Sequence, residues 1–185
     1  MWTYVIVGLI ALLLIYIFIT YNNLMKLNNR VKEAFATMDV YLKKRWDLIP
    51  NIVESVKGYS KHEQDTLKEI IELRNISYDE MNDKEKVDFN NQLAPKISKL
   101  MAIAEAYPEL KASENFIDLS KQLIKVEDDI ANARKYYNAT IRIMNNKVQM
   151  FPSNIIANLF GFKEQKMFEA KESERENVKV DLERE

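Results

Sequence analysis

The chain has no cysteine among its 185 residues, which excludes a disulfide framework, a thiolate zinc site and lipoprotein processing. Its single histidine, His62, cannot supply the paired Glu-x-x-His motifs of a di-iron bundle or the two histidines of a zinc protease motif. Glycine occurs three times and proline four times, without a glycine-rich phosphate loop. With so few helix breakers, the composition predicts a nearly all-helical chain. We assign no catalytic, cofactor-binding or metal-ligating residue.

The chain also lacks an excess of charge of either sign. Its net charge is −1, although 30% of its residues are charged. Such a mixed surface has no general attraction for nucleic acid or anionic lipid. The short basic cluster Lys43-Lys44-Arg45-Trp46 does not change this balance. The acidic run Glu127-Asp128-Asp129 is typical of a solvated helix face or of pairs with a neighbouring helix. We predict no nucleic-acid partner.

An uncharged apolar run extends from Trp2 to Ile19, where the only polar groups are one threonine and two tyrosines. Its eighteen residues span roughly 27 Å at helical rise, close to the hydrocarbon thickness of a bilayer. The run has neither the basic start nor the small-residue cleavage site of a signal peptide. A chain of this size also offers little cover for a core helix that is apolar on all sides. We therefore predict a transmembrane anchor, with anchor positions Trp2, Leu9, Leu13 and Ile17.

The cations that flank this run predict its orientation. No Lys or Arg precedes it, whereas Lys26, Arg30 and Lys32 follow it closely. Positively charged flanks tend to stay in the cytoplasm. We predict a single-pass protein of the cell membrane with a cytoplasmic body.

Beyond the anchor, apolar residues recur at three- and four-residue spacing in four stretches, which is typical of amphipathic helices. Asn82 or Asp83 can cap the third helix. The fourth stretch, from Phe116 to Val148, keeps its pattern for more than four heptads and must meet partner helices. We predict an all-α fold, in which a transmembrane helix (residues 1–20) precedes an antiparallel up-and-down bundle of about four helices (21–150).

Pro50 leaves two alternatives for the first amphipathic stretch, a kink in one long helix or a reversal of the chain. A seven-residue phase continues across the proline, through Phe35, Leu42, Ile49 and Val56. This phase favours a continuous helix. A single rod from residue 21 to 77, however, would be about 85 Å long and would leave its apolar stripe in water. We predict a reversal near Trp46–Pro50.

The segment 151–163 is too short to span a membrane but is strongly apolar. Its candidate contact residues for a partner or a membrane are Phe151, Ile155, Ile156, Leu159, Phe160 and Phe162. The segment can cap the open end of the bundle, lie in the headgroup region or dock a partner. Fourteen of the last 23 residues are charged, which predicts a frayed or flexible tail over 164–185.

Many short blocks make the sequence resemble the bacterial LemA family over roughly residues 1 to 163. These blocks include Tyr21-Asn22-Asn23-Leu24, Asp47-Leu48-Ile49-Pro50-Asn51-Ile52-Val53-Glu54, Glu105-Ala106-Tyr107-Pro108-Glu109-Leu110, Glu127-Asp128-Asp129-Ile130-Ala131 and Phe151-Pro152-Ser153-Asn154-Ile155-Ile156-Ala157. The resemblance implies a membrane-anchored helical bundle that is found alongside membrane-associated proteases and other envelope proteins. Trp46 departs from the family, which commonly has a histidine there.

These observations predict a scaffold or adaptor for protein partners in the membrane or envelope, without catalysis and without a cofactor. The alternative is a membrane-associated enzyme, or a bundle that holds a metal through buried carboxylates. Homo-oligomerisation through the apolar stripe Leu24–Leu42 is a further prediction.

Overall fold

The computed structural model describes residues 1–58, 64–74 and 77–168. These residues form six α-helices and one 3₁₀ turn, and no strand occurs among them: α1 Trp2–Lys57, α2 Gln64–Arg74, the turn Tyr78–Glu80, α3 Asp83–Glu105, α4 Pro108–Lys111, α5 Glu114–Gln149 and α6 Ser153–Leu159. The predicted all-α fold with a long apolar N-terminal helix is confirmed. His62 and residues 169–185 of the predicted tail lie outside the described residues.

The chain divides into two compact units, and α1 and α5 each contribute to both. The first unit contains Met1–Lys32 and the chain from Tyr136 onward, and the second contains Glu33–Lys135. The domain boundaries at residues 20, 150 and 163 stay predictions.

α1 continues through Pro50 to Lys57, so the predicted reversal near Trp46–Pro50 is wrong. A proline in a helix interior costs roughly 3 kcal/mol. Ile49 and Ile52, on either side of it, are only 2% and 1% exposed, and full burial of such a side chain contributes about 1.5–3 kcal/mol. Burial of the stripe on both sides of the proline therefore outweighs the cost of the proline.

In the second unit, α1 and α5 run antiparallel. Asn51 of α1 shares a groove with Asp118 of α5, whereas Arg45, earlier on α1, bonds Glu127, later on α5. α5 is 36 residues long. It is therefore long enough to cover the apolar stripe of α1, which the prediction of a reversal assumed would stay in water. α2 packs against α3, and α3 packs against α4.

α3 begins at a reciprocal pair of hydrogen bonds, which confirms Asn82 as one of the two predicted caps. The Asn82 side chain accepts from the Glu85 N–H at 3.0 Å, and the Glu85 carboxylate accepts from the Asn82 N–H at 2.8 Å. Two of the N–H groups that a helix start leaves unpaired are satisfied in this way.

The apolar stripe from Leu24 to Leu42 is covered by the chain itself. Leu24 and Val31 are buried in the core of the first unit, and Met38 and Leu42 are buried in the second. The oligomer predicted through this stripe rested on its exposure in water. Burial removes that basis, because a covered stripe is not a free surface.

A wholly buried arginine, Arg45, interrupts the apolar core of the second unit. Its Nη1 donates to both carboxylate oxygens of Glu127 at 3.0 Å, and its Nη2 donates to the Asn90 carbonyl at 3.1 Å and to the Asn90 side chain. A buried guanidinium is costly unless it is paired and hydrogen-bonded. These two partners therefore decide whether the core of this unit tolerates the charge.

Next to this arginine, Tyr78 donates its hydroxyl proton to Asp39 at 2.8 Å, and Lys86 pairs with the same carboxylate at 2.7 Å. Burial raises the pKa of Tyr78 well above its ordinary value, and the hydrogen bond to the Asp39 carboxylate raises it further. The phenol therefore stays neutral and keeps its role as a donor. The rings of Trp46 and Phe89 pack beside it, 4.9 Å apart.

We expect Glu127→Ala to lower the free energy of unfolding by about 2–3 kcal/mol, because it leaves the Arg45 charge buried without its carboxylate. This loss is below the roughly 3–5 kcal/mol typical of a fully buried pair, since the Glu127 side chain is 40% exposed and water can replace it in part. The double variant Arg45→Met/Glu127→Leu should be more stable than Glu127→Ala alone, because paired apolar replacements remove the desolvation cost.

Urea unfolding of the full chain in detergent, followed by Trp46 fluorescence in a Trp2→Phe background, measures both changes. Asp128→Ala, at the exposed neighbouring acid, is the matched control and should stay within about 0.5 kcal/mol of the parent. A double variant that is no more stable than Glu127→Ala would contradict the pairing.

Candidate membrane-facing site

The N-terminal part of α1 is the one helix among the described residues that is long and apolar enough to cross a membrane. Only 6% of its apolar window is buried, whereas the core helix of a soluble protein is mostly buried. Of the predicted anchor positions, Trp2, Leu9 and Leu13 are exposed, and Ile17 packs against the core of the first unit. The last turn of the apolar run therefore meets the folded body of that unit.

The core of the first unit is formed by α1, α5 and α6. Its buried members are Leu24, Val31, Ile141, Met144, Val148, Ile156 and Ala157. Tyr21 and Phe162 are partly buried and pack against this cluster. Tyr21 comes two residues after the apolar run. The segment of α6 therefore packs beside the part of α1 that directly follows this run.

Hydrogen bonds at both ends fix the position of α6. At its start, the Ser153 hydroxyl lies 2.7 Å from the Lys147 carbonyl in the last turn of α5 and 2.8 Å from the Met150 carbonyl, which also accepts from the Asn154 N–H at 2.9 Å. After it, Gly161 has φ of 75°, and the N–H of Phe162 donates to the Ala157 carbonyl at 2.9 Å. This helix ending needs the left-handed backbone that glycine adopts without strain, and it turns Phe162 back onto the core.

The structure divides the six candidate contact residues of segment 151–163 between two faces. Ile156 is buried and Phe162 is partly buried, both toward the core. Phe151, Ile155 and Leu159 are 79%, 56% and 70% exposed. Ile155 and Leu159 are four residues apart on one face of α6, and Phe151 lies just before the helix; we call these three residues the α6 outer row. Phe160 is half exposed, and its ring lies 4.8 Å from the ring of Tyr21. α6 thus caps the core with one face and leaves an apolar row outside.

Two asparagines of α5, which the sequence analysis missed, hold the extended chain that follows α6. Asn145 accepts from the Gln165 N–H at 2.9 Å and donates to the Gln165 carbonyl at 2.8 Å. Asn138 forms the same pair of bonds with Phe168, at 2.7 and 2.8 Å. The Gln165 side chain also donates to Asn28 of α1 at 3.2 Å. The sequence signal available was the spacing of seven residues, which puts both amides on one face of α5.

Within the described ranges, no group of three or more His, Asp or Glu side chains is arranged to hold a metal ion. The acidic run starting at Glu127 uses that residue to pair with Arg45. The basic cluster 43–46 does not form one exposed patch, because Arg45 and Trp46 are buried. What the first unit presents outward is apolar surface beside an apolar helix, which is chemistry suited to contact with lipid or with a membrane protein.

Comparison with known proteins identifies relatives of this chain. A family model described as the LemA family matches residues 34–182. Protein LemA of Metamycoplasma hominis is 27% identical over 158 residues, which is 85% of this chain and 72% of that protein. Magnetosome protein MamQ 2 of Paramagnetospirillum magneticum is 32% identical over 75 residues, which is 40% of this chain and 28% of that protein. The family match covers well over half of the chain, and the chain therefore belongs to the LemA family.

Proposed function

We propose that this LemA-family protein is a single-pass membrane scaffold or adaptor, which holds a helical body at a membrane and acts through contact, without catalysis. The observation that carries the proposal is the continuity of α1, because the helix that begins with the apolar run over residues 2–19 continues without a break into the core of the first unit. Because the apolar run and the core of the first unit are joined by continuous helix, the first unit has a defined placement relative to the bilayer. A defined placement is what recruitment of membrane-bound partners requires.

The α6 outer row supports the proposal as a second contact with the membrane surface. Tyr21 directly follows the apolar run, where aromatic residues are enriched because they favour the membrane–water interface. The ring centroids of Phe160 and Phe162 lie 4.8 and 5.9 Å from that of Tyr21. The row Phe151, Ile155 and Leu159 therefore lies near the level of the headgroups when α1 spans. Burial of such side chains is favourable by about 1.5–3 kcal/mol each.

The cations that follow the apolar run support a cytoplasmic body. Lys26, Arg30 and Lys32 all lie on α1 just after Tyr21, and loops and ends rich in Lys and Arg are retained on the cytoplasmic side. We therefore place the helical body in the cytoplasm and the anchor in the cell membrane.

A polarity-sensitive dye tests the membrane contact of α6. We expect a dye on Ile155→Cys, in this otherwise cysteine-free chain, to show blue-shifted emission and quenching by nitroxide lipids when the full protein is in liposomes. Burial of the α6 outer row at the bilayer interface is the reason.

Ile124→Cys is the matched control, because Ile124 is a similarly exposed isoleucine, 61% against 56%. It lies 25 residues before the end of α5 at Gln149, roughly 38 Å along the helix, and its dye should report water. Equal emission and equal quenching at the two positions would refute the α6 contact.

Crosslinking in intact membranes tests the adaptor role. We expect the full chain, crosslinked in cells and purified under denaturing conditions, to carry a reproducible set of membrane proteins. Leu9→Lys/Leu13→Lys should lose this set, because each lysine adds about 2.5–3.5 kcal/mol to the cost of membrane insertion. Ile124→Lys/Ile143→Lys adds the same charges at exposed positions of α5 and should keep the set. The same partners in all three proteins, or none in any, would contradict the proposal.

A further inference from the structure

We propose that the α5 asparagine clamp, defined by Asn138 and Asn145, is a binding site for an extended polypeptide segment of a partner protein. In this structure the chain's own segment 163–168 occupies it. The inference rests on the adaptor proposal and deepens it, because it names the chemistry that a partner must present. A partner presents a stretch of extended backbone whose N–H and C=O groups are free.

The spacing of the clamp matches the repeat of an extended chain. Asn138 and Asn145 are seven residues apart on a helix, which separates them by roughly 10.5 Å along its axis. Gln165 and Phe168 are three residues apart in non-helical chain, which spans roughly 9–10 Å when extended. One heptad of the helix and three residues of the strand-like segment therefore stay in register. Any extended segment running antiparallel to α5 can meet both amides.

The four hydrogen bonds of the clamp involve only the main chain of the bound segment. Each asparagine amide donates to one carbonyl and accepts from the N–H of the same residue, so the identity of that residue's side chain is not read by these four bonds. The bound segment also keeps most of its side chains in water: Lys163, Glu164, Lys166 and Met167 are exposed. Replacement of segment 163–168 by another extended segment would leave the clamp bonds unchanged.

Space for an exchange lies beside the clamp. An open cleft of about 420 Å³ runs along the segment between α1 and residues 160–165, and its lining includes Met25, Asn28 and Met144. Asn28, which binds the Gln165 side chain at 3.2 Å, offers an additional polar contact at one end of this cleft. The surroundings thus add a side-chain contact, from Gln165 to Asn28, to the main-chain bonds.

Displacement of the resident segment by a peptide in trans tests the proposal on the full chain in nanodiscs. A nitroxide on Met167→Cys, an exposed position of the cysteine-free chain, reports whether the segment is immobile. The probe is an end-capped heptapeptide with the sequence of residues 162–168, Phe-Lys-Glu-Gln-Lys-Met-Phe. We expect it to convert the immobile spectral component to a mobile one in a saturable manner. A scrambled heptapeptide should act similarly.

Two comparisons isolate the clamp. A heptapeptide that is N-methylated at the residues matching Gln165 and Phe168 cannot donate and should bind about tenfold more weakly or worse. Asn138→Ala/Asn145→Ala should release the label without any peptide, while circular dichroism shows an unchanged helix content. Asn146→Ala, at an exposed asparagine of the same helix, is the matched control and should behave like the parent chain.

A label that stays immobile at saturating heptapeptide, or equal displacement by the N-methylated peptide, would overturn the clamp as a partner site. Neither result would alter the crosslinking outcome expected for the adaptor, so the two proposals can fail separately.

Discussion

One uninterrupted helix, α1, is the constraint on which the rest of the structure depends. Its first eighteen residues have apolar side chains on every side, which only lipid or a large core can cover. Its remainder narrows to one apolar stripe, which α5 and shorter helices cover within each unit. Both patterns therefore lie on one continuous helix. In the first unit, the helix that carries the apolar run also contributes Leu24 and Val31 to the core.

Polar side chains occupy some positions where α1 and α5 pack against other parts of the chain, and they have different roles. Arg45 takes the place of an apolar residue in the series Met38, Arg45, Ile52, and its bonds to Glu127 and Asn90 require one register of α1 against α5 and α3. A buried ion pair contributes little net stability compared with an apolar pair. The Arg45–Glu127 pair instead favours one register, because a shift of α1 along α5 would leave the Arg45 charge buried without a partner. In the first unit, the side chains of Asn138 and Asn145 bind the main chain of an extended segment at Gln165 and Phe168.

Much of the fold could be predicted from local patterns, and the failures share one physical cause. The long apolar N-terminal helix, the long fourth helix and the Asn82 cap depend on neighbouring residues, and the structure contains all three. The continuity of α1 at Pro50 depends on burial by helices that are distant in sequence. The pairing of Arg45 likewise depends on distant residues, Glu127 and Asn90. The apolar character of segment 151–163 followed from composition, but the return of Phe162 onto the core needed the turn at Gly161. The asparagine clamp was missed because its partners lie 20 and 30 residues away.

The proposed function requires that the apolar start of α1 anchors the chain in a bilayer. Extraction of cell membranes with alkaline carbonate, followed by detection of the full-length chain in pellet and supernatant, tests it most directly. Carbonate strips proteins that are held by charge or by surface contact, whereas a spanning apolar helix stays in the lipid. The account predicts that the chain remains in the pellet until detergent is added. Recovery of the intact chain in the carbonate supernatant would contradict it.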